Sequence, residues 1–242
     1  INKYLIMRFG TKAENLLKLK LKSGKIPKSI FFNVKQINSN FDRCYKLIES
    51  NFKKRVIIRS SSVNEDSFKQ SKAGIYKSFA NIKINKKLIK NYILEIIDSY
   101  GNKNNENQIL IQEYLSKAKI SGVVTTCNLD DYGPYYNINY SKGKNTSIVT
   151  SGKDNTFNSV IFRKSKYSRL KQLDAKIIKL CQELEKIFNY KYLDIEFLYQ
   201  NNFLYLLQVR PIVLKKRAIT NKFLENTILI GLKKLEKKIK KM

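Results

Sequence analysis

The 242 residues, 43% of them apolar, suffice for one large domain or two small lobes with a real core. Histidine is absent, which removes His-based acid–base chemistry, Ser-His and Cys-His nucleophiles and most zinc sites, while Cys44, Cys127 and Cys181 are too scattered for a disulfide framework. A net charge of +29 invites nucleic acid, yet the excess is lysine (40 Lys against 8 Arg) spread along the chain, without a zinc finger, RNP motif or arginine-rich arm, so no specific nucleic-acid role is expected.

No stretch approaches the ~18 apolar residues of a membrane span and no signal-peptide pattern opens the chain, so a cytoplasmic protein is expected. The chain opens at Ile1, with Met7 directly before the first motif, as a fragment or a misassigned start would. Gly10-Thr11-Lys12 leads into a short helix with Leu16, Leu17 and Leu19 as its apolar residues, closed by Gly24 and Pro27. A strand over 30–34 and a helix over 41–48 follow. The apolar strand 55–58 enters Arg59-Ser60-Ser61-Ser62, and from there to Gly74 the chain is polar. An amphipathic helix covers 88–97 and closes at Gly101. Residues 108–114, 122–127, 135–140, 147–151 and 159–162 read as strands joined by polar turns. Between 170 and 188, apolar residues at 170, 173, 177, 178, 180, 184 and 187 have the spacing of a long helix packed on a sheet.

The last strand pair carries the sharpest pattern. In Leu193-Asp194-Ile195-Glu196-Phe197 the side chains alternate strictly, and 203–210 reads as the returning strand. With Gln200-Asn201-Asn202 as a three-residue loop, Tyr199 faces Phe203 and Asp194 falls opposite Gln208. Asp194, Glu196, Gln208 and Arg210 then share one face, and Ile195, Phe197, Tyr205, Leu207 and Val209 the other. A two-residue loop would break this match, because a one-residue slip flips every side chain. Two carboxylates, an amide and a guanidinium on one face suit Mg²⁺ and phosphate. The same face also reads as a solvated surface with an ion pair. Likewise Arg59-Ser60-Ser61 with Ser71-Lys72-Ala73-Gly74 suits a polyphosphate but also reads as an ordinary polar loop. Lys12, at a helix start, suits an anion or is one surface lysine among forty.

The mixed first half and strand-rich second half imply an α+β fold of two lobes with a cleft between them, lobe one about 1–107 and lobe two about 108–214, the second built on a mostly antiparallel sheet. Beyond Pro211 the chain is Lys-rich, and 215–242 is expected to be a linker or docking helix. A membrane-surface helix is the weaker reading, since its last turns lack aromatic anchors.

Taken together, Arg59-Ser60-Ser61, Glu65-Asp66, Ser71-Lys72-Ala73-Gly74 and Phe79-Ala80-Asn81 resemble the signature of the nucleotide-binding domain of phosphoenolpyruvate synthase and pyruvate phosphate dikinase. Gly10-Thr11-Lys12-Ala13 with Asn15-Leu16 is similar to that family's opening G-G-K-G-x-N-L. Gln112-Glu113-Tyr114 with Ser121-Gly122-Val123 resembles its Q-x-M and S-G-V segments. Asp194-Ile195-Glu196 and Leu207-Gln208-Val209-Arg210-Pro211 resemble its D-I-E-W and L-Q-x-R-P. The resemblance spans residues 10 to 212. It implies an ATP-grasp-like fold with ATP and Mg²⁺ between the lobes. Gln112, Glu113 and Tyr114 would lie beside adenine. Lys12 and Arg59, with the loop of Ser71, Ala73 and Gly74, would hold phosphates, and Asp194 and Glu196 would face Mg²⁺. Arg59, Gln208 and Arg210 would act on the transferring phosphoryl group.

Family members split ATP into AMP and two phosphate units, passing one phosphoryl group to a histidine on a separate swivelling domain and then to an acceptor. No histidine and no swivelling domain is present in this sequence, so that carrier is expected in cis on a missing part or in trans on a partner. The opening glycines have become Gly10-Thr11-Lys12-Ala13. Where pyruvate-using members carry G-L-G-E, this sequence has Ser141-Lys142-Gly143-Lys144-Asn145; the stretch Tyr136-Asn137-Ile138-Asn139-Tyr140 through Val149-Thr150-Ser151-Gly152 instead resembles divergent members, one type of which phosphorylates the amide of L-glutamine. The expectation is an ATP-dependent phosphotransfer domain with a small-molecule acceptor such as pyruvate or L-glutamine. The alternative is a catalytically inactive nucleotide-binding sensor or scaffold.

Overall fold

Asparagine and threonine side chains start most of the helices, supplying acceptors to N–H groups that have no partner within a first turn. The computed structural model describes residues 7–63, 66–67, 70–71, 77–101, 104–143, 156–166, 168, 170–214 and 221–239. Helix α1 (Lys12–Lys18) begins at Thr11, whose hydroxyl accepts the Glu14 N–H while the Glu14 carboxylate accepts the Thr11 N–H. Asn33 and Gln36 cap α2 (Val34–Ser39) in the same reciprocal way. Asn40 caps α3 (Phe41–Asn51) and Asn85 caps α4 (Lys86–Ser99). The long helix α5 (Gln172–Phe188) stops at Asn189, which takes the left-handed conformation at φ 48°. Helix α6 (Asn221–Ile239) occupies the Lys-rich tail. No helix among the described residues is long and apolar enough to cross a membrane.

In chain order the strands are β1 (Ser29–Asn33), β2 (Arg55–Ser61), the short pair β3 (Asp66–Ser67) and β4 (Gln70–Ser71), β5 (Ser78–Lys83), β6 (Gln108–Glu113), β7 (Ile120–Thr125), β8 (Tyr135–Lys142), β9 (Thr156–Phe162), β10 (Leu193–Gln200) and β11 (Phe203–Pro211). They build two antiparallel sheets, ordered β1-β6-β2-β5 and β11-β10-β7-β8-β9. The expected α+β class is therefore present. In the first sheet Val56, Ile58, Ile109 and Ile111 pack into one core with Ile48, Ile89, Ile93 and Ile96 of the helices behind it. By alternation, Ile57, Arg59, Ser61, Gln108, Leu110 and Gln112 occupy its opposite face. The second core joins Val124, Ile138, Leu193, Ile195 and Leu206 to Ile177, Ile178 and Leu184 of α5, with Ala13 and Leu16 of α1.

Several expectations move. Strand β6, expected to open the second lobe, is the second strand of the first sheet, held between β1 and β2. Helix α1 ends at Lys18, with Leu19 already extended, well before Gly24. Helix α2 and strand β5 lie where no element was expected. The strand expected over 147–151 lies outside the described residues.

The β10–β11 hairpin corrects the loop and keeps the face. Its turn is the two-residue pair Asn201-Asn202, both at positive φ (51° and 64°), so Gln200 faces Phe203 and Tyr199 faces Leu204. Two consecutive positive φ values suit the right-handed twist of a tight hairpin, and asparagine tolerates them. That register alone would send Gln208 and Arg210 into the core. A bulge prevents it. Phe197 pairs with Leu206 and Glu196 with Gln208, leaving Leu207 as an extra residue. Leu204 and Leu206 therefore point into the core near the turn, and Val209 and Pro211 do so beyond it. The expected placement of Tyr205 and Leu207 beside Val209 is overturned by the same bulge. Asp194 ends opposite Arg210, and Glu196 opposite Gln208.

Gly122 sits where three strands meet. A Cβ there would stand 2.4 Å from the Asn139 carbonyl oxygen and 2.7 Å from both Phe197 Cζ and Tyr140 Cβ. Gly122→Ala is expected to destabilise the protein by about 1–3 kcal/mol through overpacking. Thermal denaturation checks it, at roughly 2–4 °C of midpoint per kcal/mol; an unchanged midpoint would mean that the sheet yields there.

Candidate active site

Strand β2 brings Arg59 to the face of the first sheet that looks toward β11. Its Nη2 donates to Glu196 Oε2 at 2.8 Å and to Gln208 Oε1 at 3.2 Å, and its Nη1 to the Leu207 carbonyl at 3.4 Å. The bulge thus does two things. It keeps Gln208 on the open face and gives Arg59 a backbone carbonyl. Arg210 Nε and Nη2 both donate to Asp194 Oδ2, at 2.9 and 2.6 Å. The guanidinium of Arg59 is largely enclosed, Gln208 is buried, and Glu196 stays about a third open, at 36% of its side-chain surface.

Lys12, the first residue of α1, is buried and close enough to act on Glu196. Partial burial pushes the Glu196 carboxyl up, but the charge and hydrogen bond of Arg59, then Lys12 and Arg210, outweigh it and hold the group below the usual carboxylate range. The carboxylate is therefore charged at neutral pH. Arg59, Arg210 and Lys12 face Asp194 and Glu196, leaving a local excess of one positive charge.

Gln112 lies on the same face as Arg59, two residues beyond Arg59's partner Leu110 and so roughly 7 Å along β6. It is fully buried. Its Nε2 donates to Ser29 Oγ at 3.2 Å, and Ser29 Oγ donates to the Pro27 carbonyl at 2.8 Å. That chain fixes the amide orientation and leaves Gln112 Oε1 buried without a donor among the described residues. Glu113 is exposed and Tyr114 half-buried; their N–H groups bond the Lys28 and Arg55 carbonyls. Ser71 lies in β4, opposite Asp66, in a small hairpin whose β3 strand lies against β11. Ala73 and Gly74 are outside the described residues, as is Lys144-Asn145 of the altered loop.

Sequence reasoning missed the layer beneath these groups. Thr11, Ser61, Tyr100 and Gln108 form a buried polar cluster under Lys12 and Arg59. The alternation Gln108-Ile109-Leu110-Ile111-Gln112 held the signal, since it puts Gln108 on the face of Gln112. An apolar groove of about 380 Å³ lies behind the first sheet, lined by Phe32, Cys44 and Leu47 among others. It holds none of these charged groups.

The two carboxylates suit a hard divalent cation whose remaining ligands come from phosphate oxygens and water, so the residues fit Mg²⁺. The described residues hold no cluster of three His, Cys, Asp or Glu side chains that would bind a metal unaided.

A model of the family described as pyruvate phosphate dikinase, AMP/ATP-binding domain, matches residues 8–164. No curated protein matches the sequence. The chain is similar to the solved D-alanine–D-alanine ligase of Helicobacter pylori, at 14% identity over 88% of this chain and 57% of that one, with a TM-score of 0.46. The ATP-complexed D-alanine–D-alanine ligase of Bacillus anthracis gives 14%, 87%, 57% and 0.45. The dinucleotide-forming acetyl-coenzyme A synthetase 1 of Ca. Korarchaeum cryptofilum gives 12%, 78%, 86% and 0.47. The chain spans a little over half the length of the two ligases.

Proposed function

Because the chain belongs to the pyruvate phosphate dikinase AMP/ATP-binding domain family, we propose that it is the ATP- and Mg²⁺-dependent phosphotransfer domain of a dikinase-type enzyme. The observation that carries this reading is the meeting of Arg59 with Glu196 and Gln208, residues of two different sheets and 137 and 149 positions apart. A guanidinium from one sheet meets a carboxylate and an amide oxygen of the other. Lys12 and Arg59 hold phosphate oxygens, Asp194 and Glu196 hold Mg²⁺, and Gln208 and Arg210 flank the transferring phosphoryl group. Mg²⁺, when bound, neutralises charge on the phosphates.

Each arginine already holds a carboxylate, so these charges are mutually satisfied before any ligand enters. When Arg59 and Arg210 turn to phosphate oxygens, Glu196 and Asp194 regain their oxygens for the cation. Neither half of the exchange is favourable alone, since each leaves partly buried charges unpaired. Nucleotide and cation should accordingly bind with mutual support. The chain has no histidine, so the phosphoryl carrier belongs to a swivelling phosphohistidine domain elsewhere, and pyruvate or L-glutamine is the kind of acceptor it would serve.

The test is a thermal shift followed by a transfer assay. Mg·ATP is expected to raise the melting midpoint, and AMP to form only when a histidine-bearing swivelling domain is supplied. No shift with any nucleotide would favour the sensor or scaffold reading. Gln112 adds base selectivity. A buried acceptor without a donor costs about 1–3 kcal/mol, which the 6-amino group of adenine relieves and the 6-oxo group of guanine does not. Titration calorimetry is expected to show Mg·ATP bound on the order of tenfold more tightly than Mg·GTP, with Gln112→Leu erasing the difference.

A further inference from the structure

The buried cluster under the cations has a definite direction of hydrogen bonding. Gln108 Oε1 accepts from Thr11 Oγ1 at 2.6 Å and from Ser61 Oγ at 3.4 Å, while its Nε2 donates to Glu14 Oε1 at 3.0 Å. Ser61 Oγ accepts the Ala13 N–H at 2.9 Å. Tyr100 OH donates to the Gln108 carbonyl and accepts the Ser61 N–H at 3.1 Å. Residues on both sides of Lys12 are thus fixed, Thr11 by the side chain of β6 and Ala13 by the side chain of β2. An orphan N–H of the first turn of α1 is capped by a strand residue 48 positions away. Ser61 stands two residues after Arg59 on the same face of β2, so the clamp locks Lys12 to the strand that carries Arg59. Both cations act on the same carboxylate, Glu196.

We propose that Gln108 is a positioning residue that sets Lys12 beside Arg59 so that the two cations address one polyphosphate. This rests on the nucleotide-site reading above. Gln108 touches neither phosphate nor metal and acts through the first turn of α1. An apolar residue could dock a helix against a sheet just as firmly. Three specific hydrogen bonds fix its rotation and height as well, and two cations sharing one ligand need that precision.

The experiment compares affinities for Mg·ATP and for adenosine, which lacks phosphate, in the wild type, Gln108→Leu and Ser61→Ala. Each variant is expected to lose Mg·ATP affinity on the order of tenfold or more while adenosine affinity stays within about twofold. The paired substitution Gln108→Glu with Glu14→Gln moves the donor to the other side of the same hydrogen bond. It is expected to restore most of the Mg·ATP affinity, whereas Gln108→Glu alone sets two carboxylates together and does not. Parallel losses for ATP and adenosine, or no loss in either variant, would overturn the positioning role. Should Gln108→Leu not fold, Ser61→Ala, which removes only a hydroxyl, decides. A wild type that binds neither ligand would instead overturn the phosphotransfer reading itself.

Discussion

Arg59→Ala is expected to abolish phosphoryl transfer for practical purposes, with a rate at least on the order of 10²–10³ below wild type, as when one preorganised donor is removed from a developing charge. Standing on the first sheet, the residue holds Glu196, Gln208 and the Leu207 carbonyl of the second together. Its removal has a second consequence. The folded-state carboxyl of Glu196 lies below its ordinary range because of Arg59 first among its neighbours, so the charge it contributes is present above that range and is lost only as pH falls through the depressed value. In the wild type, the Glu196 contribution to metal-dependent ATP binding should be lost only below the ordinary glutamate range. In Arg59→Ala burial acts with less opposition, the carboxyl moves up, and binding should begin to fall at higher pH. Titration calorimetry over a pH series checks this. Coincident profiles would show that Arg59 does not set the state of Glu196.

The largest expected loss of stability lies away from these charged groups. Arg163 forms a bidentate pair with Glu185 at 2.6 and 2.9 Å, and also donates to the Thr126 and Lys191 carbonyls at 2.8 and 2.9 Å. Both side chains are nearly enclosed, and the guanidinium lies 4.7 Å from the centre of the Tyr136 ring. One residue thus ties the end of β9 to α5 and to the segments flanking β7 and β10. Arg163→Met should cost about 3–5 kcal/mol, since it leaves a buried carboxylate without its partner. That corresponds to a midpoint lowered by roughly 6–20 °C. Adding Glu185→Leu should recover much of it, though not the two carbonyl bonds. Burial already pushes the Glu185 carboxyl up against the pull of Arg163, and in the single variant that push is opposed far less. A folded-state pKa above the unfolded one favours folding at low pH, so the deficit of Arg163→Met should shrink as pH falls into the acid range. A deficit independent of pH would mean that Glu185 finds another partner.

Much of the site was legible because a strand declares its faces by alternation. Asp194 and Glu196 were assigned together on that ground, and the structure places both on the open face. The turn was misread, though Asn201-Asn202 is the stronger hairpin signal than a three-residue loop. The two departures cancel: a shorter turn shifts the phase by one residue, and the bulge at Leu207 shifts it back. No single strand shows a bulge, which exists only against a partner. Strand β5 was missed for the same reason, since its ladder to β2 breaks between Val56 and Ile58 and Asn81 turns to φ 63° there. Helix α2 has six residues, too few to show a period, although Asn33 and Gln36 mark its start. Gln108 meets Thr11 across 97 residues, a contact that no local pattern announces. The charge of +29 pointed nowhere in particular, whereas Arg59 and Arg210 each meet a carboxylate of one strand, Glu196 and Asp194.

Because the side-chain phase of β11 resets at Leu207, the hairpin is two modules in series. Its tip, residues 198–206, packs Leu204 and Leu206 into the core around α5 and bonds Lys25 and Lys119 through the Leu204 and Tyr199 carbonyls, while its base, residues 193–197 and 207–211, carries the charged groups. Changes of length at the tip are buffered from the base so long as one surplus residue remains between them.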